Sequence, residues 1–252
     1  MKKEQFYLST IAEDAAGCAA EYGLGLEIAE YCTASNMDEC FPQTDAVVRK
    51  KMEAADRFVL HAPFNELFPT AIDPKAVQLA HSRLSQAVAL AGAYGIRRVV
   101  IHAGYMPRMY YRNWFEERSV PFWREFLRDK PEDVTLCLEN VFEEEPEMLR
   151  GIVAAVDDLR LRLCLDVGHV NCYSPIPVER WLRCCGPWLA HFHLHSNAGD
   201  FDAHGDFGTG TVPVEEVLRL AEELCPKATG TLETLRARPS VEWLAERGFL
   251  DR

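Results

Sequence analysis

No stretch of the chain approaches the roughly 18 consecutive apolar residues of a membrane span, and the basic start "MKKEQFYLST" is followed by no apolar signal core. A soluble, cytoplasmic protein is the expectation. CxxC spacing is also absent: the nine cysteines are odd in number and include the adjacent pair Cys184 and Cys185. That argues against a zinc ribbon and against a disulfide framework, and reduced, mostly buried thiols are expected. Basic charge is scarce, with 27 Lys and Arg against 39 Asp and Glu and a net charge of −12. Wide contact with a phosphate backbone draws on Lys and Arg, so nucleic acid is not the expected partner, although a local basic groove stays open. No linker, low-complexity tract or strong internal repeat divides the chain. One domain spanning 1–252 is therefore expected, and 252 residues with 48% apolar content is the size of one (β/α)8 barrel.

What is present is alternation. Short apolar runs at 5–9, 24–29, 57–62, 97–103, 134–140, 161–167, 189–195 and 228–234 read as strands. Between them lie stretches of helical period: 13–23, 45–56, 73–95, 119–129, 145–158, 177–185, 213–224 and 240–248. Several open on Asp, Ser or Pro, and two close on Gly95 and Gly248. Eight βα units in strict alternation predict an α/β fold, a TIM barrel with its site at the C-terminal ends of the strands.

Side chains alternate faces along a strand, so one parity fills the barrel and the other meets the helices. Phe58 and Leu60 stand opposite Val59 and His61; Val99 and Ile101 opposite Val100 and His102; Leu136 and Leu138 opposite Cys137 and Glu139. Leu163 and Leu165 oppose Cys164 and Asp166, Phe192 and Leu194 oppose His191, His193 and His195, and Leu232 opposes Thr231 and Glu233. Six strands thus end with an ionisable residue on the interior parity, each of them His, Asp or Glu. Converging carboxylates repel one another unless cations neutralise them, and a divalent metal is the expected compensation.

The segments "LHAPF", "VIHAGY", "LCLENV", "LCLDVGHVN", "HFHLHSNAGDFDAHGDFGTG" and "TLET" resemble the xylose-isomerase-like barrel superfamily of sugar-phosphate isomerases, ketose epimerases and endonuclease IV. The likeness runs from about residue 20 to 234. The endonuclease IV-like members bind three zinc ions with nine side chains, and a residue of the right type stands at each matching position. By that resemblance His61 and His102 hold one metal with the bridging Glu139; Asp166, His193 and Glu233 complete a second; His169, Asp202 and His204 hold a third. The epimerase branch uses only Glu139, Asp166, His193 and Glu233 for one Mn²⁺, Co²⁺ or Mg²⁺, while the larger His and carboxylate set suits Zn²⁺. A dimer or tetramer is a further implication of the family.

Two activities follow from the resemblance. In an isomerase or epimerase of a sugar or sugar phosphate, Glu139 and Glu233 exchange a proton with the carbon next to a metal-bound carbonyl, and His169 polarises an oxygen or shuttles a proton. In a phosphodiesterase of the endonuclease IV type, three metals generate a hydroxide and clamp the phosphate of abasic DNA. The wording "HAGY" (102–105) and "DVGH" (166–169) stands where repair enzymes carry a proline after the histidine and "DTCH", and the "VSAAGG"-type start is missing. These departures favour the isomerase branch. A non-catalytic sugar- or metal-binding barrel is the third class, opposed by the retained acid and base carboxylates.

Substrate contacts are sought in the loops that follow the strands. The stretch 104–123 carries Tyr105, Arg108 and Arg112 among several aromatics and reads as a lid, since aromatic faces suit sugar C–H surfaces and arginine suits phosphate. Asn65 and Glu66 after the third strand, Glu27 at the end of the second, His195, and Arg236 and Arg238 after Glu233 are the other candidates. For Glu27 a buried structural carboxylate is the competing reading, for His195 a group behind the ligands, and for the last two arginines a plain surface role. His191 reads as a satisfied interior histidine and His81 as part of a helix's apolar stripe.

Overall fold

The computed structural model describes residues 1–251. Eight parallel strands close into a barrel in the order β1-β2-β3-β4-β5-β6-β7-β8. They are β1 Phe6–Ser9, β2 Gly25–Ile28, β3 Phe58–His61, β4 Arg98–His102, β5 Thr135–Glu139, β6 Leu161–Asp166, β7 Leu189–Leu194 and β8 Thr229–Leu232, so all eight expected strands form. The helices are α1 Ala15–Tyr22, α2 Phe41–Met52, α3 Pro74–Ala93, α4 Arg112–Leu127, α5 Pro146–Val156, α6 Val167–Tyr173, α7 Val178–Cys185, α8 Val214–Leu224 and α9 Ala237–Glu246. No helix among the described residues is long and apolar enough to cross a membrane.

Helices α2 and α9 begin a few residues earlier than expected, and two others depart further from the sequence reading. Helix α6 is an extra turn inserted directly after β6, capped by the Asp166 carboxylate, which accepts the His169 backbone N–H at 2.7 Å. Its seven residues carry too short a pattern to show helical period. Helix α4 begins at Arg112 rather than near 119, so the second half of the expected lid is a barrel helix. There Phe115, Phe122 and Trp123 are buried, which accounts for part of the aromatic content of 104–123.

The two parities segregate as the alternation requires. Tyr7, Val59, Val100, Cys137 and Cys164 form a small cluster inside the barrel. Leu60, Val99, Ile101, Leu136, Leu138, Leu163, Leu165, Phe192, Leu194 and Leu232 belong to the large core between strands and helices. A register shift at Leu163/Cys164 leaves Ala190 unpaired opposite β6. From there Cys164 pairs with His191 and Asp166 with His193, bringing the histidines of β7 into phase with the barrel interior. All nine cysteines are free thiols.

Candidate metal centre

Above the apolar plug, the inward positions of the upper barrel are polar. The deepest form a closed network: His191 Nδ1 meets Thr229 Oγ1 at 2.6 Å and His191 Nε2 meets Glu27 Oε2 at 3.0 Å. Thr231 Oγ1 donates to Glu27 at 2.5 Å, and His193 Nε2–H donates to Glu27 Oε1 at 2.9 Å. Glu27 is fully buried. Burial pushes its carboxyl up, but His193 and His191 hold it well below the usual carboxylate range. It lies beneath the cavity floor rather than in its lining, so its geometry is that of the buried structural carboxylate, orienting His193 from below.

With Nε2 committed to Glu27, His193 turns Nδ1 toward the mouth. Around that nitrogen lie Glu139 Oε1 at 3.2 Å, Glu233 Oε2 at 3.2 Å and Asp166 Oδ2 at 3.8 Å. Neither His193 Nδ1 nor either oxygen of Glu139 has a hydrogen-bond partner, and all are buried. Three carboxylates converging on one imidazole nitrogen in a buried site are stable only with positive charge among them. In the absence of a cation, protons fill that role. Burial pushes the His193 imidazole down, but Cys164 and the carboxylates of Glu233, Glu27 and Glu139 raise it well above its ordinary value. Glu139 is driven up by burial and held well below the carboxylate range by His193, His102 and His61.

Ligand atoms of Glu139, Asp166, His193 and Glu233 lie within 4.8 Å of one another, as do those of His61, His102 and Glu139, and those of His169, His195, Asp202 and His204. These three sets are the expected ones with one addition, His195. A fourth set, Glu27, His61, His193 and Glu233, overlaps the first. The donor chemistry and the unpartnered buried atoms fit a divalent cation. The imidazoles are also oriented for it: His61 Nδ1–H donates to the Ala62 carbonyl at 2.8 Å, freeing Nε2 toward Glu139 at 3.3 Å. Burial lowers the His102 pKa to about 4, leaving it a neutral ligand, and Phe64 stacks on its ring at 4.3 Å.

The outer set is assembled by a loop folded back over the barrel rim. Gly210 lies so close to Asn197 that an added Cβ would fall 2.1 Å from the Asn197 carbonyl oxygen. Ser196 and Gly205 exchange backbone hydrogen bonds, which carries Asp202 and His204 over β7 and β8. There His169 Nε2 and His204 Nε2 meet Asp202 Oδ2 at 3.2 and 3.1 Å. His204 Nδ1–H donates to the Glu233 carbonyl at 2.8 Å. His195 is fully buried, with Nε2 at 3.1 Å from Asp166 Oδ1 and 3.6 Å from Asp202 Oδ1, between the inner and outer sets. It does not line the cavity, so it stands among the candidate ligands and not at the cavity rim.

Space for His195 depends on Gly168, where a Cβ would sit 1.9 Å from the His195 ring. Gly168→Ala is therefore expected to displace His195 and lower occupancy of the outer set at least tenfold while the barrel still folds. Metal titration alongside circular dichroism checks this, and unchanged metal uptake would contradict it.

Sequence reasoning passed over two residues behind the ligands. Asn140 clamps the end of β6, its side chain donating to the Asp166 carbonyl at 3.0 Å and accepting the Asp166 N–H at 2.9 Å. The signal was the Asn after Glu139, which only the paired register makes legible. Glu143 is buried and accepts the Val141 N–H at 2.7 Å, while burial pushes its carboxyl up to about 7. A raised acid contributes fully below its unfolded value near 4.5 and loses that contribution as pH rises through about 7. Stability should fall by about 3 kcal/mol over that window, at roughly 1.4 kcal/mol per unit. Glu143→Gln should remove this contribution, as urea unfolding at about pH 5 and about pH 6.5, below the range in which the raised histidines act, would show.

Asn65, Glu66 and Tyr105 line the cavity above the cluster, a space of 510 Å³. Arg108, Arg112 and Arg236 do not. Arg112 is paired with Glu116 and Glu145, and Arg236 with Asp206. Arg238 pairs with Glu21.

A family model described as xylose isomerase-like TIM barrel matches residues 19–250. The uncharacterized protein MJ1311 of Methanocaldococcus jannaschii is 28% identical over 210 residues, 77% of this chain and 71% of that one. Among solved structures, the TTHB071 protein from Thermus thermophilus, soaked with ZnCl2, superposes with a TM-score of 0.76 at 26% identity, covering 96% of this chain and 97% of that one. A D-tagatose 3-epimerase-like protein superposes with a TM-score of 0.77 at 22% identity over 98% and 97% of the two chains, a likeness of fold. The closed barrel, the ligand sets at the strand ends and a match running over nearly the whole length agree: the chain belongs to the xylose isomerase-like TIM barrel family.

Proposed function

We propose that the protein is a divalent-metal-dependent isomerase or epimerase of a sugar-like substrate, working by proton transfer at a carbon next to a carbonyl. The observation that carries this reading is the pair of carboxylates Glu139 and Glu233, which reach from β5 and β8 to within 3.2 Å of the same His193 nitrogen. Glu139, Asp166, His193 and Glu233 would hold the metal, which supplies Lewis-acid polarisation of a carbonyl oxygen and so acidifies the neighbouring C–H. Glu139 and Glu233 approach the cavity floor from different strands, so one carboxylate removes the proton and the other returns it. His169 lines the cavity with Nδ1 on the Asn140 carbonyl at 2.8 Å and Nε2 on Asp202 at 3.2 Å, so it would reach a substrate oxygen only by exchanging Asp202 for it. Phe64, stacked on His102, and Tyr105 shield the floor from water.

A three-metal phosphodiesterase is the second reading, favoured by the presence of all three ligand sets. The absence of Lys and Arg from the cavity lining, among the described residues, weighs against it. Metal-loaded protein incubated with ketoses in D2O tests the first reading. Deuterium should enter at the carbon adjacent to the carbonyl. Cleavage of abasic duplex DNA without any exchange into ketoses would overturn it.

A further inference from the structure

The cavity above the ligand cluster has a floor and walls of opposite chemistry. Its floor is the imidazole and carboxylate set, and its walls are apolar: Ile11, Phe64, Phe68, Met106, Phe142 and Tyr173, contributed by the loops after β1, β3, β4 and β5 and by α6. Among the described residues no Lys or Arg lines it, and the only charged wall residue outside the ligand sets is Glu66. Of the arginines nearest in sequence to the cavity loops, Arg112 bridges Glu116 and Glu145, Arg236 is held by Asp206, and Arg108 is exposed and outside the lining. The N-terminus of α6, which opens beside the site, has the Asp166 carboxylate as its cap. A phosphate or carboxylate group on the part of a substrate remote from the ligand floor would face apolar carbon and Glu66, with no Lys or Arg in the lining to receive it.

We infer that the substrate is an uncharged polyhydroxy carbonyl compound bearing an apolar substituent on the end remote from the reacting carbons, and that phosphorylated sugars are poor ligands. This rests on the isomerase reading above. The hydroxyl-rich end meets the ligand floor and the polar Asn65, while the substituent takes the wall of Phe64, Phe68 and Phe142, where burial of an aromatic or alkyl group is favourable.

The test uses the full chain loaded with zinc and three matched probes: D-fructose, 6-O-benzyl-D-fructose and D-fructose 6-phosphate. Calorimetry gives their affinities, and NMR in D2O follows exchange next to the carbonyl. The benzyl ether should bind at least tenfold more tightly than D-fructose, and the phosphate ester at least tenfold more weakly. Phe142→Ala should shrink the benzyl advantage at least threefold, and Met106→Lys should raise affinity for the phosphate ester. Equal or tighter binding of the phosphate ester, or a benzyl ether that binds no better than D-fructose, overturns the inference even if exchange occurs. The predicted order of binding with no exchange for any probe would support the cavity preference and count against isomerase chemistry, so the two failures are separable.

Discussion

Turnover by the metal-loaded enzyme is expected to fall about 10²–10⁴-fold when Glu139 is replaced by Gln, the span a positioned acid or base contributes. Glu139 is the residue on which the centre converges: its carboxylate lies 3.3 Å from His61, 3.5 Å from His102, 3.5 Å from His169 and 3.2 Å from His193. Gln keeps the shape and removes the charge and the basicity. Glu233→Gln should lose interconversion of epimers by a similar factor, and steady-state assays with the two epimers would reveal it. Full turnover in either variant would show that proton transfer has been assigned to the wrong groups. Metal content must be measured in parallel, because a variant that no longer binds the ion fails for a different reason than one that binds it and cannot move a proton.

Metal uptake is expected to release protons and to strengthen with rising pH. In the cation-free protein, burial lowers the imidazoles while neighbouring carboxylates raise them. His169 reaches about 10 beside Asp166 and Asp202, His204 about 9 beside Asp202 and Glu233, and His193 stands well above its ordinary value. These histidines therefore carry protons at neutral pH, and a cation must displace them. Occupancy of the inner set alone displaces the His193 proton, about a tenfold gain in apparent affinity per pH unit; adding the outer set displaces those of His169 and His204, and the dependence steepens to about a hundredfold or more. Titration calorimetry in buffers of different ionisation enthalpy counts the protons. The same groups act oppositely on the cation-free fold. Raised histidines contribute stability that is complete below their unfolded value near 6.5 and is lost as pH rises through about 9 to 10. An affinity independent of pH would contradict this picture of protons standing in for metal.

The convergence of these side chains at the barrel mouth is largely legible because strand parity is a local property. Val59 with His61, Cys137 with Glu139 and Cys164 with Asp166 are each two residues apart, and that spacing alone places the second of each pair at the mouth above an apolar partner. What local spacing does not carry is pairing across the fold. Arg112 looked available for substrate until Glu145, 33 positions on, took its guanidinium. Arg236 was claimed by Asp206, 30 positions back. Glu27 had the parity of a site residue, but its short strand stops one layer lower, under His193 and Thr231. His195 continued the alternation past the end of β7, and whether it faced substrate or ligand was decided by Gly168, a residue with no side chain to read. Helix α6 is not legible because its seven residues are too few to show helical period, and its cap, Asp166, reads equally well as a ligand candidate.

The proposed function requires a divalent ion among Glu139, Asp166, His193 and Glu233, where it would serve carbonyl chemistry. Anomalous scattering from crystals grown with Zn²⁺ or Mn²⁺ tests it most directly. A strong peak is expected, bounded by His193 Nδ1 and the three carboxylates. A peak confined to His169, His195, Asp202 and His204, with the inner set empty, would contradict it.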